Sequence, residues 1–251
     1  MLKKAPLFSL LALSFLGQAQ TVLQESAPYT HEHQQLVTAL IQSLTPKVET
    51  PAVILPDGWE NWNTVENYTF GKDRGSLPMI ADLEALHPFF RDKISQLIAI
   101  CKTKGIELAL VETYRTHAKQ NEYKTMGKKY TRSGGGHSKH QYGLAVDVVP
   151  ILDSVAQWDD TKLWKKVGAV GEQLGLRWGG RWRNPYDPGH FEWTGGLSSY
   201  HLSNGLLPYL PKSYNNPCLE EELATLNEGW RAWEVEQATI ARKPLASAKT
   251  N

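Results

Sequence analysis

The chain has 251 residues, 41% of them hydrophobic, and carries 27 basic against 26 acidic side chains. That length and apolar content suffice for one good-sized core with extensions at its ends. The near-zero net charge gives no electrostatic case for nucleic acid or anionic lipid, so neither is an expected partner.

The opening residues, MLKKAPLFSLLALSFLGQAQ, set Lys3 and Lys4 before an apolar run from Pro6 to Leu16, with Gly17 and Ala19 at the −3 and −1 places of a cut before Gln20. This is the layout of a secretory signal peptide over 1–19, and the run is too short to span a bilayer. A buried N-terminal helix is the plainer alternative. No cysteine follows the run to take a lipid anchor, and no second long apolar stretch occurs. The expectation is an exported protein, periplasmic or at the cell wall, with no membrane span and a charge of 25 − 26 = −1 after cleavage. Cys101 and Cys218 are the only cysteines. An oxidising compartment permits a bridge between them, while the apolar helical stripe that holds Cys101 suits a buried free thiol equally.

Residues 20–76 read as an N-terminal extension. Val37, Leu40, Ile41 and Leu44 fall on one face of a helix over 31–44, whose exposed start accounts for His31 and His33. Residues 45–80 show no period and read as irregular chain. A compact domain is expected over 77–195. Phe90, Ile94, Leu97, Ile98 and Cys101 recur at helical spacing, and Gly105 supplies a stop. IELALVE reads as a strand, and THAKQNEYKTMG as a short helix capped by Thr116. After a glycine loop, LAVDVV reads as a buried strand closed by Pro150. DTKLWKKVGAVGEQLGL reads as an amphipathic helix, and LRWGG and HFEW as short strands. Helices and strands alternate without a regular βαβ rhythm, which makes the class α+β, a small mostly antiparallel sheet with flanking helices. Residues 196–251 form a C-terminal extension. Its one amphipathic helix carries Leu219, Leu223, Leu226, Trp230 and Trp233, spaced for docking onto the domain, and the tail after Lys243 reads as disordered.

The chemistry starts at Asp147. An ionised carboxylate inside an apolar strand costs several kcal/mol or more unless it is paired. His140 lies seven residues upstream, and His190 in DPGHFEW offers a third donor. Two imidazoles and one carboxylate with an open fourth place describe a catalytic zinc site rather than a structural one. Amide hydrolysis then needs a base for water and a proton for the leaving amine. Asp187, three residues before His190 across a Pro-Gly turn, is the candidate base, with Glu192 as its competitor. His137 reads as a solvated or substrate-side residue and His117 as a helix-surface residue.

These residues carry a resemblance. SKHQYGLAVDVVP fits the S-x-H-x2-G-x-A-x-D motif of the zinc D-alanyl-D-alanine carboxypeptidases and L-alanyl-D-glutamate endopeptidases. ETYRTHAKQ resembles their Y-R-[ST]-x3-Q element, and WGGRWRNPYDPGHFEW resembles the W-G-G…D-x2-H-F-E close of the endopeptidase and endolysin branch. The resemblance covers about Leu86 to Trp193 and implies a fold like that of these peptidases and of hedgehog domains. It implies one zinc ion held by His140, Asp147 and His190, with Asp187 as catalytic base and Arg115 near the scissile bond. Ser138 and Gln120 fall on motif positions as site or substrate-side residues, Ser138 as a hydrogen-bonding support and Gln120 as a structural one. Arg181 and Arg183 read equally as receivers of substrate carboxylates and as solvated arginines. The family usually has proline directly before the last histidine, whereas Gly189 stands there in this chain and Pro188 comes one place earlier. The implied activity is hydrolysis of a peptidoglycan stem peptide between L-alanine and D-glutamate. Removal of a terminal D-alanine is the second reading, and a zinc-bearing module that only binds cell wall is the third.

Overall fold

The computed structural model describes Asn63–Thr64 and residues 74–242. The expected leader over 1–19, the helix over 31–44 with His31 and His33, and the tail after Lys243 lie outside the described residues.

Helix α1, Pro88–Thr103, starts with proline at its first turn, where the missing N–H costs nothing. It ends at Gly105, whose φ of +71° lets Ile106 N–H reach Cys101 O at 2.9 Å and Gly105 N–H reach Lys102 O at 3.0 Å. These two bonds satisfy carbonyls that the helix leaves unpaired. Strand β2, Glu107–Glu112, follows, and then helix α2, His117–Thr125, whose Thr116 hydroxyl accepts from Lys119 N–H at 3.0 Å. A 3-10 turn, Lys139–Tyr142, leads into β3, Ala145–Leu152, which folds back through a tight hairpin onto β4, Val155–Ala156. Helix α3, Thr161–Gln173, is capped by the Asp160 carboxylate, which accepts from Lys162 and Leu163 N–H, both at 2.9 Å. Strands β5, Arg177–Trp178, and β6, His190–Glu192, close the domain. Short helix α4, Ser199–Ser203, and long helix α5, Leu219–Arg242, complete the chain.

The sheet has the order β1-β2-β3-β6-β5, with β4 appended to β3 and β1 being Asn63–Thr64. All pairings are antiparallel except β1 with β2. The class is therefore the expected one, α+β around a small, mostly antiparallel sheet. Phe90, Ile94, Leu97, Leu110, Val146, Val148, Trp164, Val167 and Phe191 are buried in one cluster among α1, α3 and the sheet. Each such side chain contributes about 1.5–3 kcal/mol on burial. Because strand side chains alternate, Val146, Val148 and Phe191 take the core face, which sends Asp147, His190 and Glu192 to the opposite face.

Two expectations need correction. The stretch 45–80 was expected to be irregular, yet Asn63–Thr64 pairs as an edge strand, too short for any hydrophobic period to announce it. Pro150 does not close β3, which runs on to Leu152. Val148 N–H points to the β6 side, where it donates to Gly189 O, so the proline nitrogen two residues later faces the same way. Pairing with β6 ends at Asp147, and no donor is needed there. Of the two readings left open for the cysteines, the free thiols hold: Cys101 is buried and Cys218 exposed.

Candidate metal centre

Register builds the site. Glu112 of β2 stands opposite Asp147 of β3, and Asp147 stands opposite His190 of β6, so three ionisable residues lie in one row across three strands. The 3-10 turn before β3 adds His140 from above that row. Gly143 ends this turn at φ +60°, a conformation that costs any other L-residue energy.

The donor atoms converge. His190 Nδ1 is 2.9 Å and His140 Nε2 is 3.5 Å from Asp147 Oδ1, and one donor atom from each residue lies within 4.8 Å of the other two. Each imidazole is held by its far nitrogen: His140 Nδ1 is 3.2 Å from Thr113 O, and His190 Nε2 is 3.4 Å from Glu192 Oε2. Such partners fix ring orientation and tautomer and leave the near nitrogen free as a ligand. Glu192 is itself paired with Lys139, at 3.1 Å, and with Arg177. The set of two oriented imidazoles and a carboxylate fits a divalent ion such as zinc.

The electrostatics agree with a cation at this point. Burial alone would raise the Asp147 carboxyl, but the charges and hydrogen bonds of His140 and His190 hold it well below the usual carboxylate range. Burial opposes charge on His190, yet Asp147, Glu192 and Asp187 outweigh it and raise the imidazole to about 10. A metal ion and a proton therefore compete for this imidazole. Burial pushes Glu192 up, and His190, Lys139 and Arg177 bring it down to about 2.

Asp187 sits in the loop before β6, its N–H donating to Gly179 O at 3.2 Å and its carbonyl accepting from His190 N–H at 3.2 Å. A Cβ at Gly179 would lie 2.4 Å from Asp187 O, so only glycine lets the two segments approach. Burial, reinforced by the negative charge of Asp147, pushes the Asp187 carboxyl above its ordinary value. A carboxylate raised in this way suits proton transfer, whereas Glu192 is fully committed to its cations.

Arg115 is buried. Its Nε donates to Glu112 Oε1 at 3.0 Å, its second amino group is bonded to Glu112 Oε2 and lies 3.8 Å from Asp147 Oδ2, and its first donates to Gln120 Oε1 at 3.1 Å. Gln120 is wholly enclosed and spends its amide on Thr131 Oγ1 and Ser133 O, which makes it a brace between Arg115 and the glycine loop. Ser138 precedes the 3-10 turn as its cap residue, its N–H donating to Gln141 Oε1 at 3.3 Å. Arg181 is largely exposed and forms two bonds, 2.9 and 2.8 Å, with Glu172, away from the row. Arg183 and His137 are exposed, and His117 is exposed and bonded to Glu234. The structure therefore brings together His140, Asp147, His190, Asp187 and Arg115 but not Arg181. Sequence reasoning missed Glu112, Thr113 and Lys139. Glu112 closes a β-strand three residues before Arg115, and that spacing was the available signal.

A family model described as D-alanyl-D-alanine carboxypeptidase matches residues 131–193. The chain is 30% identical over 130 residues to the peptidoglycan L-alanyl-D-glutamate endopeptidase CwlK of Bacillus subtilis, covering 46% of this chain and 76% of that protein. Among solved structures it is similar to the L-Ala D-Glu endopeptidase ChiX of Serratia marcescens, with TM-score 0.38 and 24% identity over 45% of this chain and 83% of the other. It is also similar to the vancomycin-resistance D,D-pentapeptidase VanY in complex with zinc, with TM-score 0.35 and 18% identity over 67% and 93%.

Proposed function

The chain belongs to the family of zinc D-alanyl-D-alanine carboxypeptidases and L-alanyl-D-glutamate endopeptidases, and from that premise we propose that it is an exported zinc peptidase cleaving peptidoglycan stem peptides between L-alanine and D-glutamate. The observation that carries the reading is the convergence of donor atoms from His140, Asp147 and His190 within 4.8 Å. When bound there, zinc supplies Lewis acidity, polarising a carbonyl and acidifying water to about pKa 7.

The remaining work falls to the chain. Asp187, with its raised carboxyl, takes a proton from the attacking water on a carboxylate oxygen and delivers it to the departing amine nitrogen. Arg115 is charged at every working pH and pinned by Glu112 and Gln120, so it offers a fixed positive charge to the oxygen that becomes negative. Glu192 and Thr113 O hold the two imidazoles in the tautomers that direct their ligand nitrogens at Asp147. Ser138 acts through the turn that bears His140. Export is proposed from residues 1–19. No helix among the described residues is long and apolar enough to cross a membrane.

Removal of the terminal D-alanine is a second reading, favoured by the carboxypeptidase description of the model matching 131–193. Digestion of purified peptidoglycan with and without a chelator, followed by product masses, separates the two. Endopeptidase action leaves stems cut after L-alanine, and carboxypeptidase action leaves stems shortened by one D-alanine. A zinc-loaded protein that cuts neither bond contradicts both and leaves the binding module.

A further inference from the structure

Helix α5 lies outside residues 131–193, yet its inward face meets the chain that carries the site. Trp230 stacks on Tyr114 with ring centroids 5.1 Å apart and planes 8° apart, and its Nε1 donates to Ala85 O at 2.9 Å. The same indole fills the space in front of Gly143, where a Cβ would lie 2.7 Å from Trp230 Cζ2. Glu234 accepts from Tyr114 Oη at 3.1 Å and from His117 N–H at 2.9 Å. Gln237, 1% exposed, accepts from the Thr116 hydroxyl at 2.6 Å and donates to Pro78 O at 2.9 Å.

The contacts to Tyr114, Thr116 and His117 gather on one short segment, 113–117, while those to Pro78, Ala85 and Gly143 tie the helix to the chain beside it. That segment supplies Thr113 O to His140 Nδ1, and its Arg115 lies beside Asp147. Through the Thr116 cap it also sets the start of α2, whose Gln120 braces Arg115 and the glycine loop. A helix that only covered an apolar face would not need three polar contacts to it, of which Thr116–Gln237 is buried, Tyr114–Glu234 half-buried and His117–Glu234 exposed. Satisfied buried polar contacts fix one geometry more than they add stability. We propose that Trp230, Glu234 and Gln237 are positioning residues for the metal centre: α5 holds segment 113–117 so that Thr113 fixes the His140 ring and Arg115 stays beside Asp147. The inference rests on the metal-centre reading above, and it makes the C-terminal extension part of the catalytic apparatus.

The test titrates cobalt(II) into full-length, metal-stripped protein and follows affinity and the visible d–d absorption band. The proteins are wild type, Trp230→Ala, Glu234→Ala, Glu234→Gln, Gln237→Leu and, on the exposed side of the helix, Val235→Ala. Circular dichroism restricts the comparison to folded protein. Loss of partners that orient metal ligands weakens metal binding by about 10–100-fold, so one step further out the expected loss is roughly ten-fold. Trp230→Ala, Glu234→Ala and Gln237→Leu should show it with a changed band, Glu234→Gln should restore most of the affinity by keeping an acceptor, and Val235→Ala should match wild type. Wild-type affinity and an unchanged band in the folded Trp230, Glu234 and Gln237 variants overturn the proposal. A wild type that binds no cobalt overturns instead the metal reading on which it rests, and that arm needs no variant to be read.

Discussion

Gly143→Ala tests how tightly the turn that bears His140 is built into the fold. Gly143 has φ +60°, and an added Cβ would lie 2.9 Å from both Ala85 O and His87 N and 2.7 Å from Trp230 Cζ2. Two of those three atoms are backbone and cannot swing away. Gly105 supplies the control, because it has φ +71° and nothing within 4 Å of the same added atom. Gly105→Ala should cost only the left-handed strain, about 1–2 kcal/mol. Gly143→Ala should add an overpacking term of about 1–3 kcal/mol. Between the two variants that difference is roughly 2–12 °C in melting temperature for a chain of this size. Thermal unfolding followed by circular dichroism measures both. Equal losses for the two alanines would refute the claim that the turn before β3 is wedged between Trp230 and the chain at Ala85 and His87.

Other consequences follow from the same geometry. Asp187→Ala should abolish turnover while leaving most metal bound, measured as metal content beside peptidoglycan digestion; loss of the metal would instead make Asp187 a ligand. Glu192→Gln removes a buried carboxylate from His190, Lys139 and Arg177, and metal affinity should fall about 10–100-fold in a competition titration. The His117–Glu234 pair gives a pH signature. Its bond to Glu234 raises the His117 pKa above 6.5, so its stabilisation is complete below the unfolded value of 6.5 and is lost as pH rises through the folded value. His117 is more than half exposed, so the effect is limited to about 0.2–1 kcal/mol. Denaturant midpoints at pH 6 and pH 8.5 should therefore differ more in wild type than in His117→Gln. Burial pushes the Cys101 thiol up to about 12, so one equivalent of thiol, Cys218, should react in native protein and the second only after denaturation.

The parts of this architecture that were legible were those with local causes. Helix α1 showed itself by the spacing of Phe90, Ile94, Leu97 and Cys101 and by Gly105 at its end, α2 by its cap Thr116, and α3 by its amphipathic pattern. The conflict between Asp147 and its apolar strand was legible because an unpaired buried charge is costly wherever it occurs. Elements without a local period were not legible. The pair Asn63–Thr64 becomes a strand only because β2 offers an edge, and β4 exists because Asp153 and Ser154 turn β3 back at φ 48° and 64°. In the site, the candidate ligands could be named from motif spacing, but their supports could not. Thr113 acts through a backbone carbonyl that any residue would supply, and Glu112 gains its meaning from its register with Asp147. Gln120 and Arg181 fall on or beside motif positions, yet the structure gives both to other protein partners, because a residue's type does not say where its hydrogen bonds end.

The central claim is that His140, Asp147 and His190 grip one divalent cation. Equilibrium titration of zinc into metal-stripped wild type, His140→Ala, Asp147→Ala and His190→Ala tests it without reference to any substrate. One equivalent bound tightly by wild type, with that binding lost in each single variant that stays folded, is the predicted result. A folded variant that still takes up its full equivalent with wild-type affinity would contradict it.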